Sequence, residues 1–194
     1  MFDIVENLEQ QLAEFFGAPY CVATDCCTHA LELCLRHLKP NHAVSPTHTY
    51  LSVPFTFEKL SMQWSWKQEE WYDYYYVSDR IIDAAVFWKQ DGYIPGTFMC
   101  LSFQFRKHLK LGRGGCILLD DKESYQTLKR MSYDGRDLST PWAEQNITEI
   151  GYHYYMTPET AKLGLSLLPD AIKTEPQRWS YRDYPNISKM AVFQ

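Results

Sequence analysis

Four short stretches of this 194-residue chain carry side chains that could share one piece of chemistry. The first is the turn Asp25-Cys26-Cys27-Thr28, which follows the apolar run Tyr20–Thr24 and opens a helical pattern. A strand, a tight turn and a helix opening at Thr28 present free backbone N–H groups and a hydroxyl, which suits a phosphate. The second is the pair Thr49-Tyr50. The third is Asp83, near the end of the apolar run Arg80–Ala84, where a carboxylate is costly to bury without a cationic partner. The fourth runs from Ser102 to Lys107 and is followed by Gly112-Arg113-Gly114-Gly115. A lysine at the mouth of a sheet, once desolvated, has a lowered pKa and can form a Schiff base. A phosphate cup, a buried aspartate and such a lysine are together what pyridoxal phosphate (PLP) requires. Taken singly each has an ordinary explanation: a solvated lysine, a turn aspartate, a threonine at a helix N-cap, glycines in a hairpin.

The elements that must position these residues are legible in outline. Ile4, Val5, Leu8, Leu12, Phe15 and Phe16 share one face of a helix over Asp3–Phe16, with a capping-box pattern at Asp3 and Glu6 and a stop at Gly17. Tyr20–Thr24 suits a buried strand, Thr28–Leu38 a second amphipathic helix, Ala43–Pro46 a brief strand, and Thr49–Leu60 a helix with an irregular start around Pro54. The aromatic stretches Met62–Trp66 and Trp71–Val77 read as strands, as do Arg80–Ala84, Thr97–Phe103 and Gly115–Leu119. Lys122–Met131 is helical, and Thr157-Pro158 opens a helix to Leu168 in the manner of an N-cap followed by N1. The last 25 residues show no clear periodicity. Strands interleaved with helices imply an α/β fold, three layers α/β/α around a mixed, mostly parallel sheet. In such sheets ligands bind beyond the carboxyl ends of the strands, where the four stretches fall.

Composition narrows the alternatives. Apolar residues make up 45% and charged residues 22%, within the range of packed globular chains. Nineteen Lys and Arg against 24 Asp and Glu give −5, with no basic stripe to grip nucleic acid through its phosphates. No apolar run approaches a membrane span, and the start MFDIVENLEQ has no basic-then-apolar signal pattern, so a soluble, cytoplasmic protein is expected. The six cysteines form no C-x-x-C pair, which argues against a zinc ribbon and against any metal centre, and most sit in apolar runs as small hydrophobes.

The order and spacing of the whole set resembles the DegT/DnrJ/EryC1/StrS family of PLP-dependent aminotransferases, from about Val5 to Leu168. Val22–Leu33 looks like the family's S-G-T-x-A-L segment, with Cys27 and Thr28 in the places of its phosphate-binding Gly and Thr. Pro46-x-x-Thr49-Tyr50 is similar to P-x-x-T-[FWY], whose aromatic ring stacks on the pyridine. Ile82-Asp83-Ala84-Ala85 matches the D-A-A strand end, and Ser102-Phe103-x-x-x-Lys107 matches S-F-x-x-x-K. The stretch Gly151–Leu165 resembles the segment that reaches into a neighbouring subunit's site, with His153 in the place of an Asn. The chain departs from the pattern at Cys26 and Cys27, at Val86 for the usual Gln or His, at Arg113 for a Glu and at Tyr155 for an Arg.

The resemblance implies a cofactor site of Cys27, Thr28, Tyr50, Asp83, Ser102, Lys107 and His153, with Lys107 as the catalytic Schiff-base lysine, Asp83 as partner of the pyridine nitrogen and Ser102 as a phosphate ligand. It implies the large PLP-binding domain over residues 1–168, a remnant C-terminal segment over 169–194, and a homodimer with shared active sites. The implied activity moves an amino group from an amino-acid donor, glutamate, to a keto acceptor, in the family typically a nucleotide-linked keto sugar. Two alternatives stand beside it: a family-derived scaffold with a binding or structural role, and a PLP enzyme of another outcome such as dehydration or racemisation.

Overall fold

The computed structural model describes residues 2–194. Helix α1 covers Asp3–Phe16 and stops at Gly17, whose φ of 72° is left-handed and suits a residue without Cβ. Its N-cap is Phe2, without a side-chain cap, so the expected capping box does not form there; Asp3 and Glu6 lie in the first turn. Strand β1 (Tyr20–Thr24) leads through the turn into α2 (Cys27–Leu38), β2 (Ala43–Pro46) and α3 (Ser52–Lys59). Next come β3 (Trp64–Lys67), β4 (Tyr75–Tyr76), β5 (Ile81–Asp83), β6 (Phe98–Ser102), β7 (Gly115–Leu119) and α4 (Lys122–Ser132). Helix α5 (Pro158–Lys173) is capped by the Thr157 hydroxyl, which accepts from Thr160 N–H.

Two expectations are corrected in length. The strand expected over Trp71–Val77 shrinks to two residues, because Asp73 adopts φ 62° and gives its N–H to Trp179 C=O instead of to a ladder. Helix α5 runs past Leu168 and through Pro169, because Leu168 and Ala171 continue the buried face begun by Ala161 and Gly164. That face packs on α1, and Gly164 lies so close to Leu8 that a Cβ would sit 2.8 Å from its Cδ2.

The main sheet has the order β1-β7-β6-β5-β4. It is mixed, as expected, but its parallel majority is not found: β5–β6 is the parallel pairing, and β1–β7, β6–β7 and β4–β5 are antiparallel. The connections explain this: β4 turns directly into β5, and loop 103–114 folds back on itself, Phe103 N–H to Gly114 C=O and Phe105 N–H to Gly112 C=O, so that β7 returns beside β6 as a hairpin. A second sheet pairs β2 and β3 in parallel, and the Val44 N–H to Val77 C=O bond of 2.9 Å joins it to the first.

Side chains alternate along the strands into two cores. Cys21, Ala23, Ile82, Met99, Leu101, Cys116 and Leu118 pack under α1 and α5. Val22, Ile81, Phe98, Cys100, Ile117 and Leu119 pack under α2, α3 and α4, which gives the three layers. All six cysteines are free thiols. No helix among the described residues is long and apolar enough to cross a membrane. Beyond α5 the chain turns back over the sheet edge in short 3-10 turns, anchored by Tyr181 N–H to Trp71 C=O and Ile187 N–H to Thr47 C=O.

Candidate active site

The strand register gathers the candidate residues at one sheet edge. Gly115, the first residue of β7, pairs with both Thr24 at the end of β1 and Ser102 at the end of β6, while Asp83 at the end of β5 pairs with Cys100. Gly115 also sets how closely α2 approaches. A Cβ there would lie 2.5 Å from Cys27 N and 2.6 Å from Cys26 C, so any other residue would push the helix N-terminus off the sheet. The helix takes Cys26 as N-cap with no side-chain cap, which leaves its first backbone N–H groups pointing at the edge.

Asp83 is only 6% exposed. Its Oδ2 accepts from Tyr75 O–H at 2.5 Å and its Oδ1 from Ala85 N–H at 2.9 Å. Tyr75 faces it across the β4–β5 register, and the Tyr75 hydroxyl also bonds to Thr49 Oγ1. Burial raises the pKa of Asp83, although these hydrogen bonds and the charge of Lys107 pull the other way. The carboxyl forms no ion pair among the described residues; a cation is what it lacks.

Lys107 lies in the loop after β6. Burial lowers its pKa against the opposing pull of Asp83 and Cys27, so all three groups feel one another's charge. Nζ donates to Tyr184 Oη at 3.4 Å, a long contact, and lies 5.2 Å from the centre of the Trp179 ring. Tyr184 packs in turn on Trp71 and Trp179. Ser102 lines the same cavity as Lys107. Thus Asp83, Lys107, Ser102 and Cys27 converge at the sheet edge.

The other candidates are placed differently. Cys27 is buried and its Sγ–H faces Cys100 C=O at 3.3 Å, which leaves its backbone N–H, not its side chain, for any anion. Thr28, the second residue of α2, donates to Ser52 Oγ at 2.8 Å. Tyr50 is 62% exposed and has no ring contact among the described residues. His153 has a side chain 72% exposed, paired through Nδ1 with Asp134 Oδ2 at 2.9 Å, and it touches none of the site residues. Tyr75, Trp179 and Tyr184 were not anticipated as site residues. At the rim, Asp25 holds His29 at 2.6 Å and Arg113 at 2.8 Å. Burial opposes a charge on His29, but its bonds to Asp25 and Cys26 win and raise its pKa to about 9.

PLP is implied by this arrangement, and the residues fit it. A buried carboxyl without a cation, a desolvated lysine within its field, and an uncapped helix N-terminus drawn in by a glycine are groups that could hold it.

Known proteins agree on the architecture. The model of the DegT/DnrJ/EryC1/StrS aminotransferase family matches residues 2–59 and 89–182. The chain belongs to that family. The match leaves out residues 60–88, so Asp83 rests on the structural register and not on the matched stretches. Among solved structures, AtS13 from Actinomadura melliaura aligns with a TM-score of 0.79 at 20% identity, over 88% of this chain and 60% of its own. The sugar aminotransferase CalS13 from Micromonospora echinospora gives 0.72 at 14%, over 88% and 61%. Helicobacter pylori PseC, an aminotransferase involved in the biosynthesis of pseudoaminic acid, gives 0.72 at 14%, over 87% and 58%. The chain therefore spans about three fifths of the length of these relatives. No curated protein matches it.

Proposed function

We propose that this chain is a PLP-dependent aminotransferase that moves an amino group from an amino-acid donor, glutamate, to a keto acceptor, a nucleotide-linked keto sugar. The observation that carries the reading is the desolvated Lys107 in the field of the buried, cation-free Asp83. Family membership and the sugar aminotransferase CalS13 support the class and the kind of acceptor.

In this reading PLP, when bound, supplies an electron sink for the carbanion that forms when the donor loses its Cα proton. Lys107 would hold the cofactor through its amine and would be the general base and acid for that proton. Desolvation suits it to the task, because a lowered pKa raises the share of free amine at neutral pH. Asp83 would pair with the pyridine nitrogen and keep it protonated. Ser102 Oγ, Thr28 and the first N–H groups of α2, including that of Cys27, would hold the phosphate, and Tyr50 would cover the ring. His153 serves the neighbouring subunit of a homodimer, which accords with its exposure here. The PLP-binding large domain would then take in the whole of α5 to Lys173, past the boundary expected at 168, with the residues after it a C-terminal segment.

The test is direct. Purified protein incubated with PLP should turn yellow, and borohydride followed by peptide mapping should place the pyridoxyl group on Lys107. A label on another lysine, or none, overturns the reading. For the dimer, inactive Lys107→Ala and His153→Ala subunits should regain partial activity when mixed, since a heterodimer has one site with both residues intact; no recovery removes His153 from the site.

One observation favours a second reading, a family-derived scaffold without catalysis: Trp179 and Tyr184 already lie against Lys107. A colourless protein that refuses PLP would select it.

A further inference from the structure

Of the six cysteines five are buried and Cys26 is not. Cys21, Cys27, Cys34, Cys100 and Cys116 lie inside the two cores, where burial pushes the Cys21, Cys27 and Cys100 thiols up. The neighbours of Cys26 set it apart as well. Its sulfur, a ring nitrogen of His29 and a carboxylate oxygen of Asp25 lie within 4.8 Å of one another. Arg113 joins the group from the loop before β7, 2.8 Å from Asp25. Burial opposes a charge on His29, but Asp25 and Cys26 overcome it and raise its pKa to about 9, so the ring is a cation at neutral pH. The Arg113 charge is held first by its bond to Asp25 and then by Cys26. One carboxylate is thus set against two cations, and both cations feel the sulfur. The group is also fixed in place. The His29 ring stacks on Tyr154 at 3.6 Å, Asp25 N–H is 2.8 Å from Tyr154 C=O, and Thr24 Oγ1 donates to Cys26 C=O at 3.0 Å. A nucleophile beside a nitrogen base that a third group orients is a recurring arrangement of reactive side chains. Reactive thiols lie beside cations at helix N-termini, and Cys26 is the N-cap of α2.

We propose that Cys26 is a modification site for small disulfides that carry negative charge, with His29 and Arg113 drawing the reagent in and Asp25 holding both in place. In the step, the Cys26 thiolate gives an electron pair to one sulfur of the disulfide and forms a mixed disulfide with it. The reagent's own S–S bond breaks, and its other half leaves as a thiolate that takes up a proton from solvent in place of the one Cys26 lost. Cys26 is oxidised and the departing half is reduced, so the disulfide itself is the oxidant. Two cations against one carboxylate favour an anionic reagent by charge alone. A metal ion would meet the same two positive charges, which disfavours the three donors as a metal site. The bulk added at the N-cap lies beside the first N–H groups of α2 and closes the phosphate cup. Only that consequence rests on the proposed function; the thiol chemistry does not.

The experiment uses the full, folded chain without added cofactor and two probes. Dithiobis(nitrobenzoate) carries two carboxylates, and cystamine carries two ammonium groups. Each rate is divided by that of free N-acetylcysteine amide with the same probe, which removes the probes' own reactivities. Peptide mapping should place the label on Cys26 and on no other cysteine, and Cys26→Ser should abolish it. The normalised rate should favour the anionic probe by about tenfold or more, and the preference should shrink as salt is raised. Arg113→Gln, shown to be folded by circular dichroism, should slow the anionic probe several-fold and leave cystamine as fast or faster. A label on a buried cysteine, equal normalised rates for the two probes, or a preference unchanged in folded Arg113→Gln overturns the inference. Borohydride trapping of PLP on the unmodified chain keeps the two readings apart. A labelled Lys107 with an unreactive Cys26 sinks only the modification site, and a reactive Cys26 with no label on Lys107 sinks only the aminotransferase. A mixed-disulfide protein that takes PLP as readily as the parent overturns the closing of the cup.

Discussion

Tyr184 brings its hydroxyl to 3.4 Å from Lys107 Nζ, across a separation of 77 residues. With the Trp179 ring beside the same ammonium, it makes the C-terminal segment the outer wall of the candidate site. That wall is held by main-chain bonds, Tyr181 N–H to Trp71 C=O, Asp73 N–H to Trp179 C=O and Ile187 N–H to Thr47 C=O, and by the buried side chain of Ile187. About two fifths of the length of these relatives has no counterpart here. Loss of these rings should therefore expose the lysine. Trp179→Ala and Tyr184→Phe should each speed reductive methylation of Lys107, Trp179→Ala the more, as read by mass spectrometry of the Lys107 peptide. Unchanged labelling in both would show that the segment does not shield it.

Asp83 should separate stability from activity. Because burial raises its folded-state pKa, the folded protein holds this proton more tightly than the unfolded chain does. Its contribution is therefore complete below the unfolded carboxyl value of about 3.9 and is lost as pH rises through the folded value. Asp83→Asn keeps the shape and removes that loss. Urea unfolding at neutral pH should show the variant at least as stable as the parent, with a flatter pH profile. Turnover with PLP should meanwhile fall by about two orders of magnitude, the scale of losing one preorganised electrostatic partner. A less stable or fully active variant contradicts the assignment.

His29 offers a pH test at the rim. Its pKa, raised to about 9, means that the folded state binds the proton more strongly than the unfolded chain. The stabilisation is present below the ordinary value of about 6.5 and disappears as pH climbs through about 9. A ring titration followed by NMR should give a midpoint near 9. In Asp25→Asn it should drop, because burial would then act with less opposition. A midpoint unmoved by Asp25→Asn would mean that another group holds the charge.

Between α1 and α4, Lys129 Nζ donates to both oxygens of Glu9, at 2.9 and 2.8 Å, and Glu9 also accepts from Ala23 N–H at 2.7 Å. Burial raises the pKa of Glu9 even with the lysine present. Lys129→Met should cost about 3–5 kcal/mol in urea unfolding, because it strands a buried charge. Adding Glu9→Gln, which keeps an acceptor for Ala23, should restore most of it. A double variant no better than the single would refute that account.

The sequence revealed those parts of the fold whose signals are local. Strand β1, helix α1 and strand β7 fall where apolar runs meet Gly17, the Asp25 turn and Gly115, since burial periodicity and chain breakers act over a few residues. Asp83, Ser102 and Lys107 were legible for the same reason: each closely follows an apolar run, and the ends of those runs meet in space. Tyr75 was not, because its role depends on a cross-strand register with Asp83 that a string of aromatic residues does not specify. Trp179 and Tyr184 had no signal at all. Their positions come from main-chain bonds to loops more than a hundred residues earlier, and the tail's own sequence shows no period. The parallel majority failed because the short return from β6 to β7 was read as interleaved α/β and not as a hairpin.

The contact between Lys107 and the C-terminal wall also has a meaning in time. A chain made from its N-terminus delivers Lys107 to the outside world 77 residues before Tyr184. At a synthesis rate of about 5–20 residues per second, several seconds separate the lysine from the rings that wall it in. The wall is made after the strands and helices that carry the other site residues. Whatever reaches the lysine during synthesis meets an open door, and whatever comes afterwards must pass Trp179 and Tyr184.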